Sequence, residues 1–214
     1  MTSPTGPPAW LAWARTLQSV AQAGLNYSQE LFDRERYRQV RRIAAEIAAA
    51  GTDADPEVIE RFFASQEGHP TPKIDVRAAV IVEDQILLVH EREDRCWSLP
   101  GGWADVGETP AQTAERETRE EAGVAVKAVK LLALYDRERR GHPHHPEYSY
   151  KAIFACEPTE SPARPRPGQS AETLDARFFA RHALPKLSRA RVLPAQIELA
   201  FAHAADPALP TEFD

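Results

Sequence analysis

A glycine-rich turn followed by a sharply delimited helix constrains the fold of this 214-residue chain more than any other feature. The helix is predicted from Thr109 to Ala122. Thr109 is a suitable N-cap residue, Pro110 suits the first helical position, and Gly123 suits the left-handed conformation that ends many helices. The sequence therefore predicts both where this helix begins and where it ends.

Three glutamates of this helix, Glu117, Glu120 and Glu121, are three or four residues apart and project from one face. They repel one another and lie toward the negative end of the helix dipole. Mg²⁺ and Mn²⁺ prefer such oxygen-only sites, so a metal site is predicted; a solvated acidic helix is the alternative interpretation. Arg116 is expected to orient one carboxylate, that of Glu108 or Glu120.

The segment from Gly102 to Val124 resembles the Nudix box. The box is Gly, five residues, Glu, seven residues, Arg-Glu, an aliphatic residue, any residue, Glu-Glu, any residue, Gly and an aliphatic residue. Thr118 is the one departure, because it stands where the family places an aliphatic residue. The resemblance implies an α/β fold, an α/β/α sandwich with a mixed sheet, and Mg²⁺ or Mn²⁺ as cofactor. The metal ligands that it implies are Glu117, Glu120, Glu121 and the carbonyl oxygen of Gly101.

The activity that the resemblance implies is hydrolysis of the pyrophosphate bond in a nucleoside diphosphate linked to another group. The base that deprotonates water would be a glutamate of the box or one from a later loop, for which Glu172 is the candidate. An exposed surface glutamate is the alternative for Glu172. Catalytic roles are therefore expected for Arg116, Glu117, Glu120 and Glu172.

Arginines and tryptophans near the box are candidates for substrate binding. Arginine suits phosphate oxygens, and a tryptophan ring can stack on a base. Core packing is the alternative for the tryptophans. The histidines that follow the fourth predicted strand are interpreted as part of a structural or exposed loop, with contact to the substrate phosphate or base as the alternative. The substrate-binding candidates are Arg77, Arg95, Trp97 and Trp103, and the histidines are His142, His144 and His145.

The periodicity of the chain changes from helical to strand-like around His69–Pro72. A helical extension is therefore placed at residues 1–68 and the catalytic domain at residues 73–206. In the extension, Gly24 and Asn26 are expected to end the first helix. Asn26 or Ser28 would cap the second, and the third is predicted at Pro56–Ser65. Strands are predicted at Val76–Val82, Gln85–His90, Trp97–Leu99, Val124–Tyr135, Tyr148–Glu157 and Ala176–Phe179, and a last helix at Arg189–Ala204.

A second resemblance is less specific than the box but spans nearly the whole chain, including the extension. Trp13-Ala14-Arg15, the residues from Gly24 to Ser28 and those from Asp33 to Tyr37 resemble the extension of one Nudix subgroup. This subgroup includes bacterial CDP-choline pyrophosphatases and proteins named ADP-ribose pyrophosphatases. The resemblance implies a homodimer and makes CDP-choline and ADP-ribose the first candidate substrates.

Composition restricts the partners and the setting of the protein. The net charge of -6 disfavours a stable nucleic-acid complex, which needs basic residues against the phosphates. No apolar run approaches the roughly 20 residues that span a bilayer, and two unpaired cysteines are typical of the cytoplasm. Two alternative functions remain open at this point. One is hydrolysis of nucleoside triphosphates or RNA ends, and the other is a nucleotide sensor without catalysis.

Overall fold

The computed structural model describes residues 7–145, 147–160, 163–166 and 170–214. The chain forms two compact units, and it passes from the first to the second between Pro72 and Lys73. No helix within the described ranges is long and apolar enough to cross a membrane.

The first unit consists of three helices, α1 (Ala9–Tyr27), α2 (Leu31–Ala50) and α3 (Pro56–Ala64). The third begins as its sequence suggests, with the Asp55 side chain accepting a hydrogen bond from the next turn and proline in the first helical position. Small residues let α1 and α2 pack closely. The buried apolar core of this unit is Ala14, Ala44, Ala45, Ala48 and Phe63.

Two expectations for this unit are wrong. Gly24 does not end α1; it lies inside the helix, where the ring of Tyr37 packs so closely that a Cβ would overlap it. The glycine is therefore used for a close approach and not for a helix end. Neither Asn26 nor Ser28 caps α2, whose N-cap position is Glu30 without a side-chain cap hydrogen bond.

The second unit is built on a seven-stranded mixed sheet. Strands β1 and β5 pair in parallel, as do β4 and β7, while the other pairs are antiparallel. The mixed sheet confirms the predicted α/β class. The strands are β1 (Lys73–Val82), β2 (Gln85–Glu91), β3 (Trp97–Ser98), β4 (Val126–Asp136), β5 (Ser149–Pro158), β6 (Thr173–Ala180) and β7 (Glu212–Phe213), and the helices are α4 (Pro110–Ala122) and α5 (Pro194–Ala205).

Alternating residues of β1 enter two different apolar cores, because successive side chains of a strand point to opposite faces. Val76 belongs to the core that includes Ala114 of α4. Ala79 belongs to the core that includes Ile197 of α5. The sheet therefore lies between α4 and α5, which is the predicted three-layer arrangement.

The last helix begins later than expected, at Pro194 and not at Arg189. The residues before it serve as hydrogen-bond acceptors for other parts of the unit. The carbonyl of Arg189 is hydrogen-bonded to His142, and that of Arg191 accepts from Lys151. The backbone that the periodicity assigned to a helix therefore binds two buried polar side chains.

Candidate active site

Both ends of α4 are fixed by local interactions. The Oγ1 of Thr109 accepts a hydrogen bond from the backbone N–H of Gln112 at 3.3 Å, and the Gln112 side chain accepts from the Thr109 N–H at 2.8 Å. This reciprocal pair is a capping box. Gly123 ends the helix with a φ of 63°. The predicted cap and the predicted end are confirmed, so the faces of α4 are set in rotation and in register.

The glycine turn brings the chain close to both β1 and α4. The backbone N–H of Val76 donates to the carbonyl of Gly102 at 2.8 Å. Gly101 has a φ of 145°, and a Cβ on it would overlap the carbonyl of Val76. A Cβ on Gly102 would lie 2.8 Å from Oε1 of Glu117. The two glycines therefore allow a carboxylate of α4 to reach the turn.

Glu121 is the most buried carboxylate of the site, at 3% exposure. The N–H of Gly101 donates to its Oε2 at 2.9 Å. Burial raises the pKa of Glu121 to about 8, against the opposing effects of Arg77 and the Gly101 N–H, while the charges of Glu91 and Glu117 raise it further. The nearby positive charge of Arg77 therefore only partly offsets the cost of burying this carboxylate.

Arg116 is surrounded by carboxylates. Its Nε donates to Glu108 at 3.0 Å, and its Nη1 donates to Glu117 at 2.9 Å and to Glu120 at 3.1 Å. Its Nη2 donates to Asp105 at 3.2 Å. Both carboxylates named as its expected partners contact it. The guanidinium thus fixes the positions of Glu117 and Glu120, two of the three predicted metal-ligating glutamates.

The carboxylate oxygens of Glu117, Glu120 and Glu121 are ligands of the type that a hard divalent cation prefers, but these oxygens do not converge on one point. Within the described ranges, no three His, Cys, Asp or Glu side chains have metal-binding geometry, and Glu117 and Glu120 bond to Arg116. Burial raises the pKa of Glu117, as it does that of Glu121. Three carboxyl groups on one helix face, of which that of Glu121 is buried, are the oxygen-only donors that Mg²⁺ and Mn²⁺ prefer.

The metal-free protein is expected to lose stability as the pH rises from about 5 to 9. The pKa of Glu121 is about 8 in the folded state, against an ordinary value of 4.5 for a glutamate in the unfolded chain. Above the lower value the unfolded chain loses the proton while the folded chain retains it. The free energy of unfolding then falls by up to about 5 kcal/mol until the pH passes the folded pKa.

Calorimetric melting in EDTA across this pH range tests that expectation. The variant Glu121→Gln carries no titrating group at this position and should show a flatter profile. An equal pH dependence in both proteins would contradict the assignment of the effect to Glu121.

Thr118, the departure from the box, is completely buried in α4. Its hydroxyl donates to the carbonyl of Ala114 at 2.7 Å, one helical turn earlier. The polar atom is thereby satisfied within the helix. Thr118 can therefore occupy the apolar position without leaving a buried unpaired hydroxyl.

Arg77 lies beside the carboxylates but is buried, at 6% exposure. Its Nε donates to Asp75 at 2.8 Å and its Nη1 to the carbonyl of Leu99 at 3.2 Å. Burial tends to lower the pKa of Arg77, but the charges of Asp75, Glu121 and Glu91 outweigh it and raise the pKa. The structure therefore favours a counter-charge for the carboxylates over the predicted contact with substrate phosphate.

The two candidate tryptophans occupy different environments. Trp97 stacks on His90 with centroids 4.9 Å apart and meets the ring of Phe179 edge-on at 4.7 Å. Its surroundings support the core-packing alternative. Trp103 is 43% exposed, and the ammonium of Lys73 lies 5.5 Å from its ring centroid. An exposed ring next to the glycine turn remains suited to stacking.

Arg95 and Glu172 are both exposed. Arg95 has a φ of 56° in the turn before β3, and the carbonyl of Glu172 accepts from the N–H of Arg92 at 2.8 Å. Residues 161–162 and 167–169 of the loop before Glu172 lie outside the described residues. The roles proposed for Arg95 and Glu172 stay predictions.

The histidine loop is anchored to the fold. His142 is buried and hydrogen-bonded to the carbonyl of Arg189 and to Gln196, and burial lowers its pKa to about 4. His144 contacts Glu138 at 3.1 Å. The structural alternative is therefore supported for His142. Pro146 of this loop lies outside the described residues.

Sequence reasoning missed a buried polar cluster next to the site. Lys151 is fully buried in β5; its ammonium donates to Asp75 and, at 2.8 Å, to the carbonyl of Arg191. Burial lowers the pKa of Lys151 to about 8. Two signals were present in the sequence: a lysine within an apolar strand, and Asp75 two residues before Arg77 on the same strand face.

Comparison with known proteins identifies the family. Residues 71–199 match the model of the NUDIX domain, and residues 8–63 match "UDP-X-like, N-terminal oligomerisation domain". The chain belongs to the Nudix family and is a Nudix hydrolase.

Relatives resemble the chain over almost its whole length. The Bacillus subtilis (strain 168) protein named "Putative ADP-ribose pyrophosphatase YjhB" is 40% identical over 96% of this chain and 97% of its own. The crystal structure of a UDP-X diphosphatase covers 96% of this chain and 98% of its own, with 29% identity and a TM-score of 0.60. An ADP-ribose pyrophosphatase structure from Streptococcus suis covers 67% of this chain and all of its own (100%), with 34% identity and a TM-score of 0.60. The resemblance therefore includes both units of the chain.

Proposed function

We propose that this protein hydrolyses the pyrophosphate bond of a nucleoside diphosphate linked to another group, releasing two phosphomonoesters. The observation that carries the proposal is the buried Glu121, hydrogen-bonded to the glycine turn, on the helix face that also carries Glu117 and Glu120. The names of the two relatives that align over nearly the full chain, for ADP-ribose and UDP-X, support a diphosphate substrate.

The reaction is proposed to require Mg²⁺ or Mn²⁺, held by these three glutamates and the carbonyl oxygen of Gly101. Such cations, when bound, neutralise the diphosphate and lower the pKa of the attacking water. The residues of the chain supply position and charge. Arg116 holds Glu117 and Glu120 in place, and Arg77 offsets part of the negative charge of Glu121.

Two residues are proposed as the alternative proton acceptors for the attacking water. Glu120 is the more exposed of the helix carboxylates, at 44% for its side chain, and Glu172 lies on an exposed loop. The variants Glu120→Gln and Glu172→Gln separate the two. The variant of the true base should lose most of its turnover, and the remaining turnover should rise with hydroxide concentration. The other variant should keep the wild-type pH profile.

A substrate panel tests the function directly. ADP-ribose, CDP-choline and a UDP-linked sugar would each be incubated with the protein and Mg²⁺, Mn²⁺ or EDTA, and released phosphomonoesters measured. Turnover of at least one diphosphate with metal, and none in EDTA, is expected. Pyrophosphate release from nucleoside triphosphates would favour the alternative activity. Nucleotide binding without any turnover would identify a sensor and contradict the proposal.

Trp103→Ala is expected to raise KM about tenfold or more with a smaller change in kcat. Loss of stacking between a base and an aromatic ring costs about 1–3 kcal/mol. Phe213→Ala, which removes another exposed ring in β7 (73% exposed), is the control and should leave KM unchanged. An unchanged KM in Trp103→Ala would exclude the ring from substrate binding.

We further propose that residues 1–68 form a dimerising extension and residues 73–206 the catalytic domain of a homodimer. Support comes from the match of residues 8–63 to an oligomerisation domain. The mass in solution, measured by light scattering, tests the dimer. Large apolar side chains that could be covered in a dimer are also exposed on α1 and α2. These side chains are Trp13, Val20, Tyr27, Leu31 and Phe32.

A further inference from the structure

Buried charges of alternating sign connect β5 to the carboxylate site. The ammonium of Lys151 donates to one carboxylate oxygen of Asp75, and the Nε of Arg77 donates to the other at 2.8 Å. The charges of Glu121 and Glu91 also act on the Arg77 guanidinium. Arg77 is therefore shared between Asp75 and the carboxylates of the site.

The hydrogen bonds of Arg77 direct it away from Glu121. They go to Asp75 and to the carbonyl of Leu99, while Glu121 accepts from the backbone of Gly101. Among the hydrogen bonds found in the described ranges, none joins Arg77 to Glu121. Guanidinium and carboxylate groups form strong paired hydrogen bonds when they are free to do so. A freed Arg77 would therefore occupy the oxygens that a cation needs.

We propose that Asp75 and Lys151 are positioning residues that hold Arg77 as a nearby counter-charge and keep Glu121 available to a divalent cation. The inference rests on the proposed function, because it requires the cation to bind at Glu121. A buried lysine is costly unless it is paired, and an apolar residue would otherwise suit this place in β5. Under this proposal the Asp75–Lys151 pair is present in place of apolar residues because it positions Arg77.

The double variant Asp75→Asn/Lys151→Met tests the proposal. It removes both charges together, so neither partner is left as an unpaired buried charge. Arg77 then loses the negative charge of Asp75, which favours its pairing with the carboxylate of Glu121. The Kd for Mn²⁺, measured from the free-ion signal in electron paramagnetic resonance, is expected to rise about tenfold or more.

Adding Arg77→Met to the double variant provides a rescue. Without the competing guanidinium, Glu121 is again available, and the Kd for Mn²⁺ should return to within about threefold of the wild-type value. If the pair had only a structural role, its removal would lower the melting temperature without this loss and recovery of Mn²⁺ binding. Lys151→Met alone is the second probe, with a smaller rise in Kd expected, should the double variant fail to fold.

A matched control is available on β6. Asp175 and Arg177 are also two residues apart on one strand and are paired at 2.6 Å, but the Arg177 side chain is 67% exposed. Asp175→Asn should leave the Kd for Mn²⁺ unchanged.

Two results would overturn the inference alone: a wild-type Kd in Asp75→Asn/Lys151→Met, or no recovery on adding Arg77→Met. If the wild-type protein binds no Mn²⁺, the proposed metal-dependent function fails and this inference fails with it. Mn²⁺ binding by the wild type therefore distinguishes the two failures.

Discussion

Replacing Glu121 by glutamine is expected to lower kcat/KM by about 1,000-fold or more, a change of about 4 kcal/mol in transition-state stabilisation. The amide can still accept the hydrogen bond from the Gly101 N–H, so the turn should keep its position. It cannot supply the negative charge that a divalent cation requires. The measurement is turnover of whichever diphosphate the wild type hydrolyses, at saturating Mg²⁺.

Glu115→Gln is the matched control on the same helix. Glu115 accepts from the N–H of Ala128 at 3.0 Å and pairs with Lys127, away from the cluster. Its variant should retain wild-type turnover. Glu121→Gln should also melt no lower than the wild type in EDTA at pH 9, because the destabilising buried charge is gone. Full activity in Glu121→Gln would contradict the proposed site.

Gly101→Ala is expected to lower the melting temperature by about 10 °C and to remove most activity. The backbone at Gly101 has a φ of 145°, and an added Cβ would overlap the carbonyl of Val76. Strained backbone and overpacking each cost about 1–3 kcal/mol, and each kcal/mol lowers the melting temperature of a domain this size by about 2–4 °C. The displaced turn would also withdraw the N–H that holds Glu121.

Gly107→Ala separates backbone strain from crowding. Gly107 also has a positive φ, of 95°, but no atom lies within 4 Å of its added Cβ. Gly107→Ala should lose only the stability that the positive φ costs an alanine, and it should keep its activity. Similar melting temperatures for the two alanine variants, measured by calorimetry, would show that contact with Val76 is unimportant.

The sequence predicts the local structure of the site better than its surroundings. The ends of α4 follow from Thr109, Pro110 and Gly123, because capping depends on a few neighbouring residues. Arg77 shows where this reasoning stops. Its burial depends on Asp75, from the same strand, and Lys151, which is 76 residues from Asp75 in the sequence. Charge and residue type alone suggested a surface contact with phosphate.

The tryptophans make the same point. Both flank the glycine turn in sequence, and residue type alone cannot separate them. Trp97 is enclosed because β6 brings Phe179 against it, whereas Trp103 lies beside β1 with part of its ring exposed. Long-range strand pairing, which local patterns do not encode, makes the difference.

The two fixed ends of α4 also determine which changes in chain length the protein can tolerate. Each residue of an α-helix turns the chain by about 100°, with 3.6 residues per turn. One residue inserted between Thr109 and Glu117 would rotate the three glutamates away from the glycine turn, because the capping box prevents the helix from beginning elsewhere. An insertion in an exposed loop would leave the glutamate face of α4 in place. Substitutions on the other faces of α4 are therefore a milder threat to the site than an insertion or deletion between Thr109 and Glu117.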